Sequence, residues 1–171
     1  MDLAKMHGER LRSRGAASFI RFFAFHTLAR AYAVDGNYTE ASAAEQTALA
    51  LVEPYHLFLR GQGEWALAEY LTASGDAAEA EAVLRRGTEW RRQQGLPEHS
   101  VQNAAAEMNL AEFYLNRSDG GSDSEKLLNS AATRIAHLPM ANFYRRRLDA
   151  LKDRLKSRVH SAVRVGQSQR S

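Results

Sequence analysis

Hydrophobic residues recur every three or four positions over most of the chain, and short polar turns interrupt them. In the run "ALAEYLTASGDAAEAEAVL", residues 66–84, Leu67 and Leu71 precede a Ser-Gly-Asp turn, and Ala80 and Leu84 follow it. Spacings of three and four residues place such positions on one face of a helix. The pattern therefore predicts two helices joined by a tight turn.

The same pair of helices is predicted three times along the chain. An alanine that follows a leucine marks each copy, at Ala29, Ala68 and Ala111, with offsets of 39 and 43 residues. Periods near 40 residues are typical of stacked helical units. Small residues at these positions, and at Ala41 and Ala80 on the second helices, allow the paired backbones to approach closely. The sequence thus predicts an all-α array of helical hairpins.

Two copies resemble the tetratricopeptide repeat (TPR), and a third resembles its kinesin-light-chain type, which is found in many bacterial regulators. The resemblance implies a right-handed superhelical α-solenoid whose concave face, formed by the first helix of each pair, binds a protein or peptide. The matching residues are Leu28, Ala29, Tyr32, Gly36, Tyr38 and Ala41; Leu67, Ala68, Leu71, Gly75, Ala80 and Leu84; and Gly95, His99, Asn109, Leu110 and Ala111.

The domain organisation follows from the repeats. Residues 1–140 are predicted to form the array, and residues 141–171 a basic amphipathic helix with a disordered tail. The terminal helix is expected to cap the array, because the end units of such arrays must meet water. Within the array we expect a partial unit over 1–15 and full units over about 16–53, 54–94 and 95–138.

Some residues depart from the repeat pattern. Ser124 stands where the third copy would carry its second small alanine, and Gly87 replaces an alanine near the end of the second unit. Gly61 and Gly63 interrupt the beginning of another predicted helix. Since a glycine inside a helix costs about 1 kcal/mol relative to alanine, these units are expected to be irregular.

The resemblance also places a partner-binding groove on the first helix of each unit. As an alternative to binding a partner, Trp65 and His26 could pack inside the array. Asn109 could form hydrogen bonds between neighbouring helices instead of binding a partner. A ligand with a C-terminal carboxylate is not expected. Binding it would need several lysine, arginine or asparagine side chains, and among the predicted groove residues only Arg30 and Asn109 are of these types. The predicted groove residues are His26, Arg30, Trp65, Glu69, Met108, Asn109 and Glu112.

The terminal helix is predicted from apolar residues spaced by 4, 3, 4, 4 and 3 positions from Tyr144 to Ala162. Besides a cap, this helix could mediate self-association through its apolar stripe. A third alternative is an association with nucleic acid through its basic side chains. These residues are Arg145, Arg146, Arg147, Lys152, Arg154, Lys156 and Arg158.

The charge of the chain is segregated, although its formal net value is only +3. Residues 1–34 hold 6 basic and 2 acidic side chains, residues 35–144 hold 8 and 16, and residues 145–171 hold 9 and 2. An acidic middle between basic ends can steer partners of opposite sign. Charge therefore bears on association more than on fold.

Few residues suggest chemistry. The chain has no cysteine, and no two of its six histidines have the four-residue spacing that places two metal ligands on one helix face. It has no phosphate-binding Gly-x-x-x-x-Gly-Lys loop. We therefore expect no cofactor, no metal and no enzymatic activity.

The chain also has no apolar run of about 20 residues and no signal-peptide pattern, so neither membrane association nor export is expected. A cytoplasmic location is favoured. The leading hypothesis is a scaffold or adaptor that binds a protein or peptide. The alternative is a homo-oligomeric or nucleic-acid-associated regulator acting through the terminal helix, with nucleic acid the less favoured partner.

Overall fold

The computed structural model describes residues 18–52, 56–117, 121–139 and 141–168, with side chains described as far as His160. These residues form helices without any strand, which confirms the all-α prediction for the described part of the chain. The predicted partial unit over residues 1–15 lies outside it. The helices are α1 (Ser18–Val34), α2 (Tyr38–Ala50), α3 (Leu57–Ala73), α4 (Ala77–Gln93), α5 (Val101–Leu115), α6 (Gly121–Ile135) and α7 (Asn142–Ser168).

The chain divides into two compact units, residues 1–87 (unit 1) and residues 88–171 (unit 2), with α4 running across the boundary. In unit 1, α2 packs against both α1 and α3. The three helices share one hydrophobic core, built from Phe22, Phe25, Leu28, Ala29, Ala41, Ala44, Ala48, Val52, Leu59, Ala66 and Tyr70.

Glycine ends the first helix of each pair in unit 1. Gly36 follows α1 with φ of 75°, and Gly75 follows α3 with φ of 94°. Both values lie in the left-handed region, which glycine enters without steric cost. After Gly75, the Asp76 N–H donates to the carbonyl of Leu71 at 2.8 Å, and its carboxylate accepts the N–H of Glu79 at 3.1 Å. The predicted tight turns therefore follow from local backbone chemistry.

The small residues that mark the repeat are all buried. Ala29 and Ala41 are fully buried, as are Ala80 and Ala111, and Ala68 is nearly so. In the third pair, Ser124 is also fully buried, and its hydroxyl donates to the carbonyl of Ala111 at 3.1 Å. A serine thus replaces the small alanine and links α5 to α6 by a hydrogen bond.

Unit 2 is built around α5, α6 and α7. The terminal helix α7 packs against both α5 and α6, and its Leu148 and Leu151 are buried, whereas Val159 further along is exposed. The buried core of the unit consists of Ala104, Met108, Ala111, Leu115, Leu128, Ala131, Ile135, Ala141, Leu148 and Leu151.

The glycines inside helices mark places where side chains from another helix come close. Helix α3 runs without a break through Gly61 and Gly63. A Cβ added to Gly63 would lie 2.7 Å from Cδ2 of Leu49 and 2.9 Å from Oε1 of Glu45. A Cβ at Gly87 would overlap the carboxylate of Glu64. These two residues are therefore small because α2 and α3 place large side chains against them.

No described helix combines the length and the apolar character that are needed to cross a bilayer. The longest described helix, α7, carries several arginine and lysine residues between Arg145 and Arg158.

Candidate functional site

Except for Asn109, the predicted groove residues belong to one repeated helix face. The reference residue on α1, α3 and α5 is the buried alanine, Ala29, Ala68 or Ala111. On each helix this face is formed by the residues ten, six and three positions before the alanine and by the residue one position after it. Spacings of four, three and four put these positions on one side of a helix. We call this face the lateral stripe. It comprises Phe19, Phe23, His26 and Arg30 on α1, Phe58, Gln62, Trp65 and Glu69 on α3, and Val101, Ala105, Met108 and Glu112 on α5.

In unit 1 the lateral stripes are largely exposed. The phenylalanine that begins each stripe is 49% exposed at Phe19 and 61% at Phe58, and Phe23 is 40% exposed. Arg30 and Glu69 are also exposed at the other ends of the stripes. Contiguous exposed apolar side chains on a folded protein commonly mark a surface that binds something.

His26 differs from its neighbours on the stripe of α1. Its Nδ1 lies 2.9 Å and 3.0 Å from the two carboxylate oxygens of Glu45, which is fully buried on α2. The imidazole also stacks on Phe22, with ring centroids 5.3 Å apart and an angle of 13° between the planes. These contacts place His26 mainly in the packing of unit 1, and Arg30 is the exposed polar residue on the stripe of α1.

The charged residues at the ends of the two stripes, Arg30 and Glu69, both affect the pKa of the buried Tyr70. The pKa of Tyr70 is raised from its ordinary 10.0 to about 12, mainly by burial and also by the carboxylates of Glu45 and Glu69. The guanidinium of Arg30 lowers this pKa. Both stripe charges therefore lie within electrostatic reach of one side chain in the core of unit 1.

Alkaline solution is expected to destabilise unit 1 through Tyr70. Since its pKa is raised on folding, its contribution to stability is complete below pH 10.0 and is lost as the pH rises through about 12. Urea unfolding of the wild-type chain and of Tyr70→Phe, from about pH 9 to about pH 12, measures this loss. The variant should lose less stability over this range, since all other titrating groups are common to both chains. Parallel curves would contradict the prediction.

In unit 2 the corresponding stripe is covered. No residue of the α5 stripe is exposed, and Met108 is fully buried in the core that includes Leu148 and Leu151 of α7. The structure thus places Met108 inside the protein rather than on its surface. The helix that covers the stripe is the terminal helix of the same chain.

Arginines of α7 bind the polar residues of this covered face. Arg147 donates through Nη2 to Oδ1 of Asn109 at 2.8 Å and to Oε2 of Glu112 at 2.9 Å. Arg154 donates to Oε1 of Glu112 at 2.8 Å and to Oδ1 of Asn116 at 2.8 Å. Two predicted groove residues, Asn109 and Glu112, therefore contact the terminal helix α7 of the same chain.

Most of the predicted basic surface is engaged in the same way. Arg158 donates to the carbonyl of Leu115 at 2.6 Å, at the end of α5. Arg145 donates to the carbonyl of Leu138 at 2.5 Å and to that of Ile135 at 3.2 Å, and so satisfies groups at the end of α6. Lys156 pairs with Asp153 at 3.1 Å on the exposed side, where Arg146 is also exposed and Lys152 half-buried.

The sequence did not reveal a buried carboxylate in unit 2. Glu107 is 1% exposed, and both its oxygens lie 3.0 Å from Nε of Arg134. Ser130 donates its hydroxyl to the same carboxylate at 3.0 Å, and the guanidinium of Arg92 lies at 3.6 Å. One signal was available in the sequence, because Glu107 lies four residues before Ala111 and so shares its buried side of α5.

No metal-binding chemistry emerges from the described residues. None of their histidine, aspartate and glutamate side chains form a group of three or more that could hold a metal ion. The exposed rings of His99 and His137 meet edge to face with centroids 6.1 Å apart, but they form a pair only.

Comparisons with known proteins add no family assignment. A scan of the sequence against models of protein families finds no match, and a search of curated proteins finds no relative.

Proposed function

We propose that this protein is a non-catalytic scaffold or adaptor that binds another protein through the lateral stripes of α1 and α3. One observation carries the proposal. The same face is covered by a helix in unit 2, where Met108 is fully buried, but in unit 1 it leaves Phe58 61% exposed. A helix face that receives a helix in one unit is suited to receive a partner in the other.

The chemical character of the exposed stripes supports this proposal. Each stripe has a phenylalanine at one end, Phe19 or Phe58, and a charged side chain at the other, Arg30 or Glu69. Aromatic anchors that become buried supply much of the binding energy at protein interfaces, and charges at the edge favour some partners over others. Trp65, half-buried on the α3 stripe, adds a residue type that is enriched among such anchors.

The repeated helical pairs support a finer assignment within the same proposal. Buried small residues recur in register, and the glycine turns at Gly36 and Gly75 are alike. These features suit an α-solenoid of the tetratricopeptide type, in which the first helix of each pair contributes to the binding face. The lateral stripes of α1 and α3 would then belong to the concave wall.

The alternative, a role for α7 in binding nucleic acid, receives less support. Arg147, Arg154 and Arg158 are bonded to groups of α5, and Arg145 to carbonyls at the end of α6. Nonspecific binding to nucleic acid depends on cations that can reach the phosphates. Within the described part of α7, few of the predicted basic residues meet this condition.

Affinity capture from lysate of the source cells tests the proposal. The bait is the whole chain, compared with a double variant, Trp65→Ala with Glu69→Arg, and with Phe58→Ser. Glu40→Arg reverses an exposed charge on α2 and serves as the matched control. We expect a protein captured by the wild type and by the control, and reduced by about tenfold or more with both stripe variants. Equal capture by all four baits would refute the proposal.

A further inference from the structure

We propose that α1 binds the α1 helix of a second copy of this chain, so that two copies form a two-fold symmetric dimer with these helices antiparallel. The inference rests on the proposed function, because it names the partner of one of the two exposed stripes in unit 1. The stripe of α3 takes no part in this contact.

Helix α1 carries a regular row of exposed residues along one side. The side that holds Leu28 and Ala29 is buried, and α1 packs against α2. On another side, exposed residues recur from Ile20 to Val34 with spacings of three, four, three and four. Such spacings form the seam along which two helices pack in a coiled coil. We call this row and its immediate neighbours the outer face of α1. It comprises Phe19, Ile20, Phe23, Thr27, Arg30, Ala31 and Val34.

The beginning of the outer face is an aromatic patch. The rings of Phe19 and Phe23 meet edge to face with centroids 5.2 Å apart, and Ile20 beside them is 46% exposed. The three side chains thus form one apolar surface. Contiguous exposed apolar side chains commonly mark a surface that another macromolecule covers.

The two halves of the outer face are complementary in size. The first half holds the large side chains of Phe19 and Phe23, and the second half holds the smaller Thr27 and Ala31. In an antiparallel pair the first half of each helix lies on the second half of the other, so large side chains pack on small ones. In a parallel pair the phenylalanines of the two copies would meet at the same level and compete for space.

The charge of the outer face also favours an antiparallel pair of identical helices. Arg30 is the charged residue of this face, and α1 carries no acidic side chain along its length. A parallel pair would bring the two Arg30 guanidinium groups together, and like charges repel. An antiparallel pair separates them and places each one beside the aromatic patch of the other copy, where a guanidinium is attracted to the face of a ring. The outer face is therefore complementary to itself.

Sedimentation equilibrium of the purified whole chain, at concentrations up to about 1 mM, measures the association. We expect a monomer–dimer equilibrium that Phe23→Glu weakens by about tenfold or more, because this change places a charge in the middle of the contact. Phe58→Glu is the matched control. Phe58 is 61% exposed on α3, outside the contact, so the control should leave the dimer unchanged.

A second variant tests the same face from a position that the fold of unit 1 does not require. The ring of Phe23 contacts the buried Phe22, with centroids 5.4 Å apart, so its replacement could disturb the core as well. Thr27 is exposed, and Thr27→Arg should weaken the dimer by about tenfold or more without loss of helix content in circular dichroism.

Cross-linking tests the orientation of the helices. The chain has no cysteine, so a single introduced cysteine can be joined only to its counterpart in another copy. Thr27 is the middle residue of the outer face and lies near the two-fold axis of an antiparallel pair, so a short bis-maleimide should join Thr27→Cys efficiently. Val34→Cys should remain unjoined, because its two copies would lie roughly 20 Å apart along the helix axis. Efficient cross-linking at both positions would indicate a parallel pair and contradict the inference.

A chain that stays monomeric up to about 1 mM would overturn the inference, as would a dimer that Phe23→Glu and Thr27→Arg leave unchanged. The outer face would then be left to a different protein or to residues 1–17 of the same chain. The proposed function would still stand if the α3 variants lost a protein captured from lysate, so the two failures are distinguishable.

Discussion

Replacing Glu107 with alanine is expected to lower the free energy of unfolding of unit 2 by about 3 to 5 kcal/mol. The carboxylate is almost completely buried and neutralises Arg134, which is itself only 17% exposed. Its removal leaves this guanidinium largely out of water without a counter-charge at its Nε. The hydroxyl of Ser130 loses an acceptor at the same time.

Urea unfolding of the whole chain measures the effect, and amide hydrogen exchange along α5 and α6 assigns it to unit 2. Asp153→Ala is the matched control, because it removes a carboxylate from a pair whose two side chains are 73% and 71% exposed. An exposed pair contributes about 0 to 1 kcal/mol, so the control should change little. If Glu107→Ala costs no more than the control, the buried pair does not stabilise unit 2 in the way that we infer.

Replacing Gly63 with alanine is expected to destabilise unit 1, although helix propensity alone predicts the opposite. Alanine in place of glycine inside a helix would add about 1 kcal/mol of stability. The new methyl group, however, would lie 2.7 Å from Leu49 and 2.9 Å from the buried carboxylate of Glu45. Such overpacking costs about 1 to 3 kcal/mol, which should exceed the gain.

The matched control for this experiment is Gly121→Ala. Gly121 is the first residue of α6, and a Cβ there would meet no atom within 4 Å. The control should be neutral or slightly stabilising in urea unfolding, whereas Gly63→Ala should lower the midpoint. A stabilising effect of both changes would mean that Leu49 and Glu45 move aside at little cost.

Local features of the fold could be predicted from the sequence with good accuracy. The turn at Gly75 and the buried Ala68 and Ala80 follow from residue types whose conformational or steric preferences are strong. Gly63 and Ser124 depart from the repeat pattern, because each one suits a neighbour on another helix. The carboxylate of Glu45 and the carbonyl of Ala111 that explain them are tertiary contacts.

In the candidate site, too, the sequence predicts local features but not tertiary contacts. The repeat register puts Glu69 and Glu112 one residue after Ala68 and Ala111, since this depends on periodicity alone. It could not indicate that only the second would be covered. That difference depends on Arg147 and Arg154, which lie 35 and 42 residues beyond Glu112 in the sequence. Buried Glu107 was missed for the same reason, because its partner Arg134 comes from another helix.

In the proposed scaffold, the cover that α7 provides for α5 also sets the number of stripes that can bind a partner. The described chain repeats its lateral stripe three times, but the stripe of α5 is satisfied within the chain itself. In the proposed function the two stripes of unit 1 bind other molecules, and they differ in the sign of their charge at Arg30 and Glu69. A repeated sequence would then yield a surface without repeated binding sites. Each chain would join one partner in one orientation, and would not collect several copies of the same ligand.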